Sequence, residues 1–235
     1  MKIKFRNYIS TFLFIILLLN SLETITYCMD EEKVIYLTFD DGPAGKVTTD
    51  ILDILKKEDV PATFFLIGDQ IKGQNELLLR MKNEGHSIGL HSMSHNRNNL
   101  YSANERFLKE MLDAQNIIKE ITGETSNILR FPFGCNNNSY HLKPELVELL
   151  HENNLKIYDW NVDTTDGANN TASPSTYIRK CKSDGNEIIL LMHCGYLNKN
   201  SVKALPDIIK LYKDKGYNFK EINDTTKELY HYIKK

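Results

Sequence analysis

Between Lys33 and Ile222, short and nearly continuous apolar runs alternate with amphipathic segments, and no other feature of this chain restricts its fold so much. The runs Val34–Phe39, Ala62–Ile67, Ser87–Leu90, Ile128–Phe131, Lys156–Val162, Glu187–Met192 and Tyr217–Ile222 read as strands. Between them, Val47, Ile51, Ile54 and Leu55 form a helical stripe over Val47–Lys57. Leu77–Asn83 reads as a helix closed by Gly85, and Ala103–Ile121 as a longer one ending near Gly123. Pro144 opens a helix running to His151, and further helices start near Pro174 and Val202. Apolar strands separated by helices imply parallel strands covered on both faces. Seven such units, without linker or repeat, predict an α/β fold: a closed or nearly closed (β/α) barrel, with a doubly wound open sheet as the alternative. In either, reactive residues gather at the carboxyl ends of the strands.

Apolar residues make up 41% and charged residues 26% of the 235-residue chain, a globular composition. Lys2, Lys4 and Arg6 precede the apolar run Ile9–Leu19, too short to span a bilayer but right for a secretory leader. Residues 1–28 are therefore expected to be a signal peptide or membrane anchor, 33–225 the folded domain and 226–235 a C-terminal tail. Ile25-Thr26-Tyr27-Cys28 resembles a lipoprotein acceptor site only faintly, because Tyr27 is bulky. Without residues 1–28 the formal charge moves from −2 to −4, which offers no basic footprint for nucleic acid. Cys28, Cys135, Cys181 and Cys194 lack the CxxC spacing of a cysteine zinc site. Among the last three, an oxidising compartment permits a disulfide; isolated buried thiols are the other reading.

The polar residues fall at strand ends. Thr38-Phe39-Asp40-Asp41-Gly42-Pro43 places two acids after the first strand, where a plain Asp-Gly turn is the bland reading. His91-Ser92-Met93-Ser94-His95 follows the third strand; its i, i+4 spacing puts both imidazoles on one side of a helical turn, as metal ligands or as a solvated face. Arg130-Phe131-Pro132-Phe133-Gly134 ends the fourth strand, Asp163 and Asp166 follow the fifth, and His193 closes the sixth. An ordinary turn, helix capping and a core histidine are the respective alternatives. Their joint occurrence in this order is what carries weight.

This ordered set resembles the five motifs of the polysaccharide deacetylases, carbohydrate esterase family four, over about residues 33–225. The resemblance implies a distorted (β/α) barrel with seven parallel strands. It implies one divalent metal ion, zinc or else cobalt or a similar ion, held by Asp41, His91 and His95. Asp40 is then the general base, oriented by a bidentate contact from Arg130. His193 is the general acid, held through its other nitrogen by Asp163. The backbone N–H of Phe133, after Pro132, serves the oxyanion, and Leu191 lines the acetyl pocket.

Two positions depart from the family pattern. Phe133 stands where tyrosine is usual, which removes a phenol but keeps the amide. Gly167 stands where a tryptophan often walls the pocket. The change is expected to widen the site or to shift the apolar wall to a loop such as Gly195-Tyr196-Leu197, while Trp160 reads as core. The function implied is removal of N-acetyl groups from an N-acetylglucosamine polymer, first peptidoglycan, by an exported monomer. Chitooligosaccharide, a biofilm polymer and acetyl-xylan remain as alternative substrates. An inactive carbohydrate-binding protein and an intracellular sugar amidase are the alternatives in kind.

Overall fold

The structure is a computed structural model that describes residues 32–138 and 140–231; the expected leader in residues 1–28, with Cys28, lies outside them. Ten strands run in chain order: β1 Val34–Gly42, β2 Thr63–Leu66, β3 Ser87–Leu90, β4 Ile128–Leu129, β5 Asn136–Asn137, β6 Tyr140–His141, β7 Lys156–Ile157, β8 Val162–Asp163, β9 Glu187–His193 and β10 Asn218–Phe219. The helices are α1 Lys46–Glu58, α2 Gly68–Ile71, α3 Asn75–Asn83, α4 Arg97–Leu100, α5 Asn104–Thr122, α6 Pro144–Glu152, α7 Pro174–Lys180 and α8 Lys199–Asp214.

Seven strands form a parallel sheet in the order β7–β4–β3–β2–β1–β9–β8. β9 follows β1 from Val34 to Asp40, and β1 shares its other edge between β10 at its start and β2 from Thr38 onward. The expected strand Lys156–Val162 is two strands, at opposite ends of the sheet, and hydrogen bonding explains the break. Tyr158 N–H donates to Leu129 O at 2.9 Å, on the β4 side, whereas Asn161 N–H donates to Ile189 O at 3.2 Å, on the β9 side. Within four residues the chain passes from one edge of the sheet to the other, so the sheet curls upon itself. An open doubly wound sheet has no such segment.

Two apolar cores follow from the period of two along β1. Ile35, Leu37 and Phe39 belong to the larger core, with α1 residues Ile51, Leu52 and Leu55 and α8 residues Ile208 and Ile209. Tyr36 belongs to a smaller one, inside the curl, with Phe65, Ile128, Tyr158, Ile189 and Ile222. The inner positions thus read Tyr36, Thr38, Asp40 on β1 and, in register, Ile189, Leu191, His193 on β9. Apolar residues fill the bottom and titratable ones the carboxyl end.

The helix stops agree with sequence chemistry. Gly123 ends α5 in the left-handed region at φ 76°, and Pro144 and Pro174 occupy first-turn positions. The polar hairpin β5–β6 has no apolar period to announce it. Residues beyond 225, expected as a tail, are bound to the domain as far as His231: Leu229 bridges Tyr158, and the Glu228 carboxylate accepts from Ile157 N–H at 2.7 Å. Trp160, expected in the core, is half-buried and packs against the inner cluster. Cys135, Cys181 and Cys194 are buried free thiols.

Gly89 is required by close approach. A Cβ there would lie 2.4 Å from Phe65 Cδ1 and 3.2 Å from Ile128 Cγ1. Gly89→Ala should therefore cost about 1–3 kcal/mol through overpacking, read as a lowered Tm in thermal denaturation; an unchanged Tm would show that the inner core yields freely.

Candidate metal centre and active site

Consecutive residues on a strand face opposite ways, yet Asp40 and Asp41 both serve the mouth of the barrel. A β-bulge resolves this. The β1–β2 register slips between Asp40 and Gly42, and Asp41 sits at φ 68°. Aspartate tolerates the left-handed region better than most residues, and the extra residue re-aims its side chain. Asp40 stays on the inner face; Asp41 turns toward the two histidines.

His91 and His95 are not on a helical turn, contrary to expectation. They bracket a loop in which Ser92 and His95 both have positive φ, 68° and 55°. Glu110 of α5, a buried residue that sequence reasoning missed, holds that loop. Its Oε2 accepts from Met93 N–H at 3.1 Å and Ser94 N–H at 2.7 Å, while Oε1 accepts from Ser94 Oγ and Asn99 Nδ2. A single Glu on a helix face looks like any solvated residue, so no sequence signal distinguishes it.

The loop brings His91 Nε2 and His95 Nε2 each to 3.5 Å from Asp41 Oδ1. Among the described residues this trio is the one group whose donor atoms could hold a metal ion, all lying within 4.8 Å of one another. Three features test the fit. Asp41 Oδ1 is buried without a hydrogen-bond partner. His91 Nδ1 is 3.0 Å from Arg130 O, to which it donates, leaving Nε2 as the free lone pair. Burial, aided by His91, pushes His95 down to about 4, so it is a neutral ligand at pH 7. Burial opposes ionisation of Asp41, but the three histidines around it hold its carboxyl below the usual range. A carboxylate with two imidazoles and an orphaned oxygen suits a borderline divalent cation such as zinc.

Arg130 is fully buried inside the curl. It reaches Asp40 through one nitrogen rather than in the expected bidentate contact: Nη1 donates to Asp40 Oδ1 at 2.9 Å and to Thr38 Oγ1 at 2.6 Å. The rest of the fork serves the closing segment, with Nε donating to Tyr158 O and Nη2 to Asp159 O. Its guanidinium lies 4.3 Å from the Phe65 ring centroid.

The partner of His193 differs from the one expected. His193 Nδ1 donates to Asp166 Oδ1 at 2.8 Å, and Asp166 Oδ2 accepts from His193 N–H and Ser201 Oγ. Asp163 instead caps its own turn, accepting from Thr165 N–H at 2.6 Å. Thr165 sits at φ 66°, a left-handed step that carries the fully buried Asp166 under the histidine. Burial alone would lower the His193 pKa; the Asp166 contact, with Asp40 and Asp41 beyond, outweighs it and raises the ring to about 9. Gly167 lies against this ring, and a Cβ there would meet His193 Cε1 at 2.4 Å.

Phe131–Gly134 forms a turn closed by Gly134 N–H to Phe131 O at 2.9 Å, with Pro132 at its second position and Phe133 at φ 67° where glycine is usual. Tyr101 Oη donates to Pro132 O at 2.5 Å, which fixes the peptide plane carrying the Phe133 N–H. The Phe133 ring packs on His95 at 4.5 Å and under Arg97 at 4.0 Å. Leu191, buried on β9, stands on the inner face two residues below His193.

The chain matches known proteins over most of its length. The family model for polysaccharide deacetylases matches residues 29–144. A peptidoglycan-N-acetylglucosamine deacetylase of Bacillus cereus is 36% identical over 200 residues, 83% of this chain and 71% of that protein. A peptidoglycan-N-acetylmuramic acid deacetylase of Bacillus subtilis is 35% identical, over 83% of this chain and 72% of its own. The catalytic domain of a peptidoglycan N-acetylglucosamine deacetylase from Eubacterium rectale superposes with a TM-score of 0.77 at 31% identity, covering 86% of this chain and 94% of that one.

Glu110 leads to a measurable expectation. Glu110→Gln removes the charge that holds the His91–His95 loop and should weaken zinc or cobalt binding about 10–100-fold, the usual effect of losing support for a ligand. Metal titration by calorimetry reads this, and unaltered affinity would leave Glu110 with no part in positioning His95.

Proposed function

The chain belongs to the polysaccharide deacetylase family, and within it we propose that this protein is a divalent-metal-dependent hydrolase that removes N-acetyl groups from the N-acetylglucosamine of peptidoglycan. One observation carries the reading: the orphaned Asp41 Oδ1 between two imidazoles, with a carboxylate and a histidine beside it on paired strands. Asp41, His91 and His95 would hold the ion, zinc or cobalt. When bound, it supplies Lewis-acid polarisation of the acetyl carbonyl and acidifies a water.

The chain's own residues do the rest. Asp40, steadied through Oδ1 by Arg130, takes a proton from the attacking water, whose oxygen bonds to the acyl carbon. The Phe133 N–H donates to the carbonyl oxygen as negative charge builds there. His193 Nε2 hands its proton to the amide nitrogen as the carbon–nitrogen bond breaks, giving acetate and a free amine. Asp166 keeps that ring oriented and protonated. Leu191 offers an apolar contact for the acetyl methyl.

The Bacillus cereus and Eubacterium rectale proteins, both named as peptidoglycan N-acetylglucosamine deacetylases, support the choice of sugar and polymer. Such a polymer lies outside the cell membrane, so residues 1–28 serve as leader or anchor. Among the described residues, no helix is long and apolar enough to cross a membrane.

Purified protein should release acetate from peptidoglycan glycan strands and lose that activity with a chelator. The same assay on chitooligosaccharide, acetyl-xylan and N-acetylmuramic acid-rich strands ranks the substrates. Asp40→Asn should retain its metal while turnover falls roughly 10²–10⁴-fold. Full activity in that variant would remove Asp40 as base.

The His193 assignment has a pH signature. A general acid must be protonated, so the rate holds below about pH 9 and falls above it. Asp166→Asn removes the largest influence that raises the ring, leaving Asp40 and Asp41 against burial, so the alkaline limb of the pH–rate profile should move to lower pH. A limb that stays put would separate the two residues.

A further inference from the structure

Four large apolar side chains are exposed among the described residues; two of them, Tyr196 and Leu197, line one cleft, and a third, Phe133, packs on His95 of that cleft. Isolated exposed apolar residues are ordinary, but such a concentration beside a site marks a binding surface. Tyr196 is 59% and Leu197 71% exposed, and neither belongs to either core. Both sit on the loop between β9 and α8, directly after His193. A cleft of about 490 Å³ joins them to Asp41, His95 and His193.

The loop is held in place. A Cβ on Gly195 would stand 3.5 Å from Asp41 Cβ, so the loop starts against the metal-site carboxylate. Tyr196 Oη accepts from Gln74 Nε2 at 3.3 Å, and Gln74 is itself fixed, donating to Pro43 O and Gln70 O while accepting from Gly45 N–H. The ring is thus pre-ordered with its face free. Across the cleft, Gly167 lies so close to His193 that a Cβ there would force the ring to shift. Gln70 also lines the cleft, and its side-chain oxygen is buried without a partner. An apolar platform with a lone acceptor beside it suits a ring with a C–H face and hydroxyl edges.

We propose that Tyr196 and Leu197 form the platform on which a pyranose ring of the glycan stacks, with Gln70 accepting a hydrogen bond from one of its hydroxyls. This deepens the deacetylase reading of the same cleft and rests on it for the identity of the sugar. The contact uses the ring face, so the phenol hydroxyl is dispensable and the aromatic ring is not. Aromatic stacking of this kind is worth about a 3–10-fold change in affinity.

Two measurements keep the platform and the activity apart. Binding of the N-acetylglucosamine tetramer is read by calorimetry on metal-loaded protein carrying Asp40→Asn, which slows turnover. Adding Tyr196→Ala should weaken Kd about 3–10-fold and Gln70→Ala should weaken it less, while Tyr196→Phe should hold it near the parent value. In the active protein, Tyr196→Ala should raise KM for the tetramer by a similar factor and change kcat little. An unchanged Kd in Tyr196→Ala, an equal loss in Tyr196→Phe, or no tetramer binding at all would overturn the platform. Tyr196-dependent binding without acetate release would uphold the platform and sink the deacetylase reading. Acetate release with a Tyr196-independent KM would do the reverse.

Discussion

The architecture turns on one buried cation. Arg130 carries its charge inside the curl, where an uncompensated guanidinium would be far too costly, and the fold answers with four hydrogen bonds. Two go to the carbonyls of Tyr158 and Asp159, in the segment that takes the chain from β4 to β9. Two go to Thr38 and Asp40 on β1. The same side chain therefore fastens the closure of the sheet and aims a reactive carboxylate. It also has a floor, since Phe65 lies flat beneath it, and Phe65 fits only because position 89 has no Cβ. A constraint on β3 is thus felt at Asp40, two strands away at the same level of the sheet.

Much of this was legible in the sequence because it rests on period and punctuation. The apolar run Val34–Phe39 marked the first strand, Gly123 and the helix-opening prolines marked helix boundaries, and the spacing of polar clusters after apolar runs located the mouth. What escaped reading depends on backbone angles that residue types leave open. Asp40-Asp41 is compatible with two opposite faces until the bulge at φ 68° turns one of them. Asp163 and Asp166 are three residues apart and either could reach His193; the left-handed Thr165 decides for Asp166. Glu110 follows Ser94 by 16 residues, on the face of α5, and its carboxylate matters only because the loop it meets offers two successive N–H groups. The stretch Lys156–Val162 looks like one strand, because hydropathy does not record which edge each residue bonds to.

The site divides by the stiffness of its supports. Asp40 and His193 are register partners on β1 and β9, the most extensively paired strands, so their separation is set by sheet geometry. The metal-binding trio sits on a bulge and a loop, and needs Glu110, the Arg130 carbonyl and Ser92 to hold it. The cleft walls are looser still, carried by turns at Phe133 and Tyr196. Proton transfer, which demands geometry fixed to a fraction of an ångström, thus falls on the ladder, while contact with a varied substrate falls on loops.

That division explains how one barrel can lose a bulky wall at position 167 and keep its chemistry. The glycine touches His193 itself, so enlarging it would disturb the acid rather than merely line the pocket. With no side chain on that side, the apolar surface at the cleft is that of the neighbouring loop, where the fold leaves Tyr196 and Leu197 uncovered. His193, the proposed proton donor, is held by Asp166 through Nδ1 and lies against a backbone with no Cβ at Gly167. Reactivity and recognition then meet at a single ring, His193, without either set of contacts having to move for the other.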